Sequence, residues 1–600
     1  MSLIQRIKTF FSVKTNVVFF SFLVICCAIG IAYGCTYISS TFVNNIYMDQ
    51  IRYYANYTDK ILNGGLTVSD IFNVYAGHIG VGTMLLLIFD IKVLGVNPSF
   101  WACLIPFVLA ATATVLSCFL YPRKSNWRSL GFSLFSTTMV FLLIFGVQQW
   151  EILTFSWGLI IHLGNLFFVI SFLLFSKLLV TEDFSVKWTI ASLVVSGLNI
   201  LLFGGGYDFP FLLAILFVFA FYFIFHLARR NHFSKWKIIP ASIIVAYLIV
   251  LLILARNSIG AAGSGLNLLG IIESFVQGQT IVLLDRGKQP SISMQMGLFL
   301  GILLLVFYVG AVVLYFVRKK YHTNLLPLLL MAFSQLAVLA IAFARTGDGG
   351  STYAAASRYY STYILGYIAA SAIYIEEIER LLESLAEKSK AHFASYVSGF
   401  GSILLHVLMV TCFAISTDNE WKAAPYRKQT ANQQVYSAFF WDKMPAESLS
   451  LLYQESAENV ATSFTTLKKN NLYVFRNGLS GVTDSLATTV KVFGFYPEPD
   501  FLWVSGSFIF LISAADTKTM PLTFYNPDSF PDNSITVDID GTNVTTLDIS
   551  SGSRVTKDFS LDSGVHTITI TAAKTTIPSQ QQQSQDGRSL SVILQYFTLS

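Results

Sequence analysis

The feature that most constrains this sequence is a series of long apolar runs recurring from the N-terminus to about residue 416. A helix that crosses a bilayer needs about 20 mostly apolar residues. Runs of that kind lie near 15–35, 100–121, 129–147, 158–176, 188–204, 210–228, 238–255, 295–316, 324–344, 359–375 and 393–416. The fold class they imply is a polytopic α-helical membrane protein with about 11 transmembrane helices. Charge supports this: 12% of the 600 residues are charged, roughly half the share of a soluble chain. A net charge of +5 over that length makes no basic patch, so no nucleic-acid partner is expected. The first run is too long, and lacks the small-residue cleavage site, for a removed signal peptide.

Lysine and arginine in short loops orient such a chain. Arg6, Lys8 and Lys14 precede the first span, and Arg123, Lys124 and Arg128 follow the second. Lys177 and Lys187, then Arg229, Arg230, Lys235 and Lys237, then Arg318, Lys319 and Lys320 mark later loops. Arg380, Lys388 and Lys390 precede the last span. All fall on one side if the N-terminus is cytoplasmic, and an odd number of spans then places the last 180 or so residues outside. Residues 79–94 do not fit as a span, being short and containing Asp90 and Lys92. They read as an interfacial or re-entrant helix, within a first outer loop over 36–99.

Charges kept at the outer membrane surface are functional candidates, because holding them there is costly. Arg256, Arg345 and Arg358 each end a span on that side. The planar guanidinium gives bidentate, permanently charged bonds to phosphate. The alternative is a set of snorkelling helix ends. Asp49, within NIYMDQIRYY, reads as a general base or metal ligand, or as a solvated loop aspartate. Glu151, beside Trp150, binds sugar hydroxyls or sits in the interface. His78 orients a phosphate or caps the re-entrant helix. Arg52 shares the first loop, and Asp208 follows a Gly204-Gly205-Gly206 turn. Asp59 reads as a surface residue, Asp70 as an N-cap and His162 as a satisfied packing residue. The six cysteines lie in or beside apolar runs and read as packing residues.

After residue 416 the composition turns polar. Residues 417–483 read as a mainly helical linker region, and 484–600 as an antiparallel β-sandwich. SITVDI and HTITI alternate polar with apolar, and Asn526-Pro527-Asp528, Asp540-Gly541 and Ser563-Gly564 mark turns. SLSVILQYFTL reads as the last strand and PSQQQQSQDG as a hairpin loop. The exposed faces of this domain would bind carbohydrate or another subunit, or the domain acts as a stabilising lid.

Taken together, MDQIRYY around Asp49, YAGHIGVGTMLLLIFDIKVLGVNPSF with His78, QQWEILTFSW, and ARTGDGGSTYAAASRYYSTYIL with Arg345 and Arg358-Tyr359 resemble the GT-C glycosyltransferases, chiefly the bacterial ones. The resemblance covers most of 1–416 and implies a GT-C-like catalytic domain there. It implies transfer of a sugar from a polyprenyl-phosphate donor to a cell-surface glycan or lipid-linked acceptor, at the outer face of a bacterial inner membrane. Asp49 would deprotonate the acceptor hydroxyl, which would displace the lipid phosphate in line, with inversion. Arg256, Arg345 and Arg358, with Tyr359 and His78, would hold the donor phosphate. Glu151, Trp150, Asp208 and Arg52 would contact sugar or acceptor. The family often has two adjacent acids in the first loop and an acid beside the histidine. Here stand Asp49-Gln50 and Gly77-His78, which favours a monophosphate donor handled without a metal cofactor over a divalent-metal mechanism. The rival readings are a polysaccharide polymerase or ligase, using the 256–294 loop with Asp285, Arg286 and Lys288, and a lipid-linked-sugar transporter.

Overall fold

The computed structural model describes residues 13–72, 74–75, 78–121, 127–181, 185–204, 206–228, 235–259, 267–284, 293–350, 352–386, 393–444, 446–478, 482–581 and 588–600. Arg6, Lys8, Arg123, Lys124, Arg229, Arg230, Asp285, Arg286, Lys288, Lys388 and Lys390 lie outside the described residues. The chain divides into two units. The first comprises Met1–Phe42, Gly64–Lys92 and Asn97–Arg427, and the second Val43–Asn63, Val93–Val96 and Lys428–Ser600.

Each apolar run of the first unit is helical. The helices are α1 (Lys14–Thr41), α2 (Pro98–Phe119), α3 (Trp127–Ile144), α4 (Gly158–Val180), α5 (Val186–Leu202), α6 (Asp208–Ala228), α7 (Ile238–Ile259), α8 (Met294–Val317), α9 (Leu326–Gly349), α10 (Tyr360–Ala386) and α11 (Phe393–Phe439). Among the described residues, eight are long and apolar enough to cross a membrane: α1 to α4, α6, α8, α9 and α11. The protein is therefore a multi-pass membrane protein. The apolar parts of α5 and α7 are shorter.

Helix α10 has the length of a span without the composition, and its packing says why. Almost every side chain from Tyr359 to Ile375 is buried, against α9, α3 and α8. A helix walled in by other helices presents no face to lipid, so it can carry hydroxyls provided each finds an acceptor. Tyr360 donates to the Leu143 carbonyl at 2.8 Å, Tyr367 to Gln279 Oε1 at 2.6 Å and Tyr374 to the Phe307 carbonyl at 2.8 Å.

Within 79–94, a nine-residue helix, Val81–Phe89, runs into a π-helical turn, Asp90–Leu94. The segment is too short to cross a bilayer. Asp90 is buried because it accepts from the Asn97 N–H and from Trp101 Nε1, each at 3.0 Å. Asp70 is not the N-cap of its helix: Thr67 caps Val68–Ile71, and Asp70 completes the capping box at the third position. Helix α11 does not end near 416 but continues to Phe439. At 1.5 Å per residue it is about 70 Å long, over twice the roughly 30 Å hydrocarbon thickness.

In the second unit, the helix Asp49–Leu62 buries Gln50, Ile51, Tyr53, Tyr54, Tyr57, Thr58 and Ile61, one face at helical spacing. That face packs on Ala457–Lys469, which buries Val460, Phe464 and Leu467. The expected first outer loop is thus divided, with 43–63 folding beside 446–469.

The β region contains β1 (Lys491–Pro497), β2 (Phe501–Ala514), β3 (Lys518–Tyr525), β4 (Asn533–Ile539), β5 (Thr542–Ile549), β6 (Arg554–Leu561), β7 (Gly564–Ala572) and β8 (Ile593–Gln595). All pairings are antiparallel, in the order β5-β4-β7-β2-β8-β3-β6, with β1 also on β2. The expected two-sheet sandwich is one near-barrel sheet, because β2 serves both halves. Its Phe501–Trp503 end pairs β8 and its Ser507–Ala514 end pairs β7, with Gly506 at φ +68° between them. Alternate residues, among them Phe508, Phe510, Ile512, Leu522, Phe524, Ile568, Ile570 and Leu594, form its core. The last strand is shorter than expected. Asp540 (φ 52°) and Gly541 (φ 81°) join β4 to β5 as a two-residue loop with both residues left-handed, the type I′ requirement.

Candidate functional site

The first unit has two chemically different ends. At the lysine- and arginine-rich end, Lys237, Arg318 and Arg380 are held by local partners. Lys237, 3% exposed, donates to the carbonyls of Leu179 and Thr181 at the end of α4, where a cation complements the helix dipole. Arg318 forks onto Glu377 at 2.9 and 2.5 Å, and Arg380 joins it at 3.1 Å.

At the other end, the short helix Trp150–Leu153 meets the turn that opens α10. Glu151 Oε1 lies 2.8 Å from Arg358 Nη2, and Glu151 Oε2 accepts from the Ser357 hydroxyl at 3.3 Å. Both carboxylate oxygens are thereby engaged, and the guanidinium is fixed in direction while part of it stays exposed. Arg358 also stands 5.7 Å over the Tyr353 ring. Tyr359 is buried and stacks at 6.0 Å on Tyr363. Arg345, exposed near the end of α9, and Arg358 both lie within electrostatic reach of the Tyr359 hydroxyl. Burial raises the neighbouring Tyr207 phenol above the usual tyrosine range, opposed by a Thr362 hydrogen bond and the Arg358 charge. Trp150, Glu151, Arg345, Arg358 and Tyr359 are thus brought into one neighbourhood.

One cluster here has no counterpart in the sequence reading. Arg427 lies 3.2 Å from the centroid of the Trp150 ring, a cation–π contact at close range. The same guanidinium forks onto Glu420, through Nη2 at 2.7 Å and through Nε. Glu420 also accepts from the Tyr37 hydroxyl at 2.7 Å. Tyr37 and Tyr33 in turn box Trp421 edge-on. Glu420 and Arg427 are seven residues apart, two turns on one helix face. That spacing was legible, since 417–483 reads as mainly helical; the Trp150 and Tyr37 contacts, made from distant segments, were not.

Other expected site residues are placed differently. Asp208 is 2% exposed at the start of α6, so a sugar hydroxyl has no open face to reach. Its carboxylate fills the place where a Gly204 side chain would be, since a Cβ there would lie 1.8 Å from Asp208 Oδ1. Arg52 belongs to the second unit and pairs with Glu455 at 2.7 Å. Asp49 also belongs to the second unit, exposed on the first turn of its helix, where a carboxylate complements the helix dipole. Asp59 is at the surface as expected, and it accepts from Asn470 at 3.0 Å and Lys469 at 3.2 Å, which hold its carboxyl below the usual range. His78 lies in a two-residue hairpin strand and Arg256 in the last turn of α7; their side chains lie outside the described residues. His162 is buried, and among the described residues its Nε2 has no hydrogen-bond partner, unlike the satisfied residue expected. The six cysteines form no disulfide. Among the described residues, no group of three or more His, Cys, Asp or Glu is arranged to hold a metal ion.

No family model matches the chain, and no curated protein matches it. Among solved structures, a family 35 carbohydrate binding module from an environmental isolate is similar over 18% of this chain and 75% of its own. Identity there is 17% and the TM-score 0.12. The Podospora anserina GH26-CBM35 β-(1,4)-mannanase is similar over 20% of this chain and 25% of its own, at 20% identity and a TM-score of 0.13. Neither likeness bears on the cluster described above.

Proposed function

We propose that the protein is a GT-C-like membrane glycosyltransferase that takes a sugar from a polyprenyl-phosphate donor. The observation that carries this reading is the arginine pair at the end of the membrane unit away from its lysine-rich face. There Glu151 and Ser357 aim the Arg358 guanidinium, and Arg345 is close enough to act on the same tyrosine. A fixed, permanently charged fork of this kind suits a phosphate group at the membrane surface.

In the proposed reaction an acceptor hydroxyl attacks the anomeric carbon. The bond from that carbon to the phosphate oxygen breaks, and its electron pair leaves with the phosphate. Negative charge grows on that phosphate, where Arg345 and Arg358 stabilise it without reorganising. Asp49 is assigned the acceptor's proton on the sequence resemblance alone. Trp150, held by Arg427 on one face, offers its remaining surface to a sugar ring. This end faces outward if the N-terminus is cytoplasmic, in a bacterial inner membrane.

The test is turnover. Purified protein is supplied with radiolabelled polyprenyl-phosphate sugars and a panel of glycan and lipid-linked acceptors. Transfer from at least one donor is expected; no transfer from any donor to any acceptor sinks the reading.

A further inference from the structure

The lysine-rich end of the membrane unit contains a cavity of about 420 Å³ among the ends of α1, α2, α4, α8, α9 and α10, within the size range of ligand pockets. It lies far along the same helices from the Glu151–Arg358 pair: Lys177 is at the last turn of α4 and Glu376 more than four turns beyond Tyr359 in α10. Its charged lining is Lys177, Lys320 and Glu376. Lys320 is paired with Glu376. The Lys177 side chain is exposed, and among the described residues it has no carboxylate partner. Glu377, the neighbouring acid, is taken by Arg318 and Arg380. Lys177 is thus the lining cation not tied to Glu376, while Glu379 stands behind the wall, accepting from the hydroxyl of the lining residue Tyr121.

The rest of the wall is built for a group that is polar at one side and apolar at the other. Asn16 and Thr323 supply polar side chains, while Leu173, Pro327 and Ile373 supply apolar surface. Asn324 is braced: its side-chain amide donates to the Phe119 carbonyl at 3.0 Å, and its main-chain carbonyl accepts from the Tyr315 hydroxyl at 2.8 Å. Phe119, also in the lining, is 43% exposed, so the cavity has an apolar lip. An ammonium is a hydrated point charge that binds phosphate without demanding a fixed fork. Basic pockets between helix ends at a membrane surface receive anionic headgroups.

From the exposed Lys177 ammonium, the volume and the apolar lip, we propose that this cavity binds a phosphate monoanion, in the form of an anionic phospholipid headgroup. Lys177 contacts the phosphate, and the apolar wall takes the glycerol and first methylenes. A lipid held there ties α1, α4, α9 and α10 together and favours the folded bundle by mass action. The site is separate from the proposed transfer reaction and does not rest on it.

The full chain in detergent micelles, offered phosphatidylglycerol or phosphatidylcholine and read by native mass spectrometry, tests this. Wild type is compared with Lys177→Gln and with Lys187→Gln, a lysine of the same end outside the cavity lining. Preferential retention of phosphatidylglycerol, about fivefold weaker in Lys177→Gln and unchanged in Lys187→Gln, is the expected result for one lysine–headgroup contact. Inorganic phosphate is tested separately, by melting temperature. Stabilisation of wild type but not Lys177→Gln, with no lipid retained, supports the phosphate site and assigns it a soluble occupant. Equal retention of the two lipids with no phosphate effect, or equal behaviour of all three proteins, overturns the proposal.

Discussion

Glu420 is 3% exposed and its charge is balanced by Arg427, itself 10% exposed, and by the Tyr37 hydroxyl. Removing one partner of such a pair leaves a buried charge uncompensated, at a cost of about 3–5 kcal/mol. Arg427→Ala is therefore expected to lower the melting temperature strongly and to free the Trp150 ring, which thermal denaturation followed by tryptophan fluorescence reads. Arg358 is different: it is partly exposed, and its proposed role lies in the transition state. Arg358→Gln is expected to cut kcat by about 10²–10³ with little change in melting temperature. Asp49→Asn keeps the shape of an exposed helix-start residue but removes its basicity. It is expected to abolish transfer while the fold, read by circular dichroism, is retained. Wild-type activity in this variant would remove Asp49 from the mechanism. At this scale the sequence was informative where an ionisable residue broke a pattern, as Arg345, Arg358 and Glu151 do at span ends. It was silent on Tyr37, which meets Glu420 from a segment 383 residues away. No local spacing connects segments that distant.

The elements were legible wherever period and turn chemistry agreed. Runs at 15–35, 100–121 and 158–176 became α1, α2 and α4, and the Asp540-Gly541 turn joins β4 to β5. Legibility failed where tertiary packing sets the rule. Helix α10 is polar because protein, not lipid, surrounds it. Strand β2 carries two partners on one edge, which alternation cannot reveal. The β4–β5 hairpin also makes a pH prediction. His566 Nδ1 lies 2.8 Å from Asp540 Oδ2, and Nε2 lies 2.8 Å from the Asp562 carbonyl. Both ring nitrogens face acceptors, so the imidazolium satisfies both. Burial pulls the His566 pKa down, but the Asp540 hydrogen bond and the Asp562 carbonyl outweigh it, and the net shift is upward from 6.5. A raised folded-state pKa gives stability that is complete below the unfolded value and lost as pH rises through the folded one. The melting temperature is expected to fall from pH 6 to pH 8.5, and His566→Gln to flatten that part of the profile. An identical slope in the two proteins would contradict this assignment.

For the whole molecule, composition alone identified a multi-pass membrane protein, because no soluble chain tolerates so many apolar runs. The division into units was not legible. Residues 43–63 lie between two apolar runs in the sequence but fold with 446–469, since the amphipathic Asp49–Leu62 helix needs an apolar partner, which the later segment supplies. In the proposed reaction the arginine pair receives the phosphate of a polyprenyl-phosphate donor as its sugar departs. The most direct measurement is the lipid product itself. Donor labelled in the polyprenyl chain is incubated with purified protein and acceptor, and the released lipid is separated and counted against the sugar transferred. One polyprenyl monophosphate is expected for each sugar transferred, with both lost together in Arg358→Gln. Sugar transfer without monophosphate release, or undiminished release in Arg358→Gln, would contradict it.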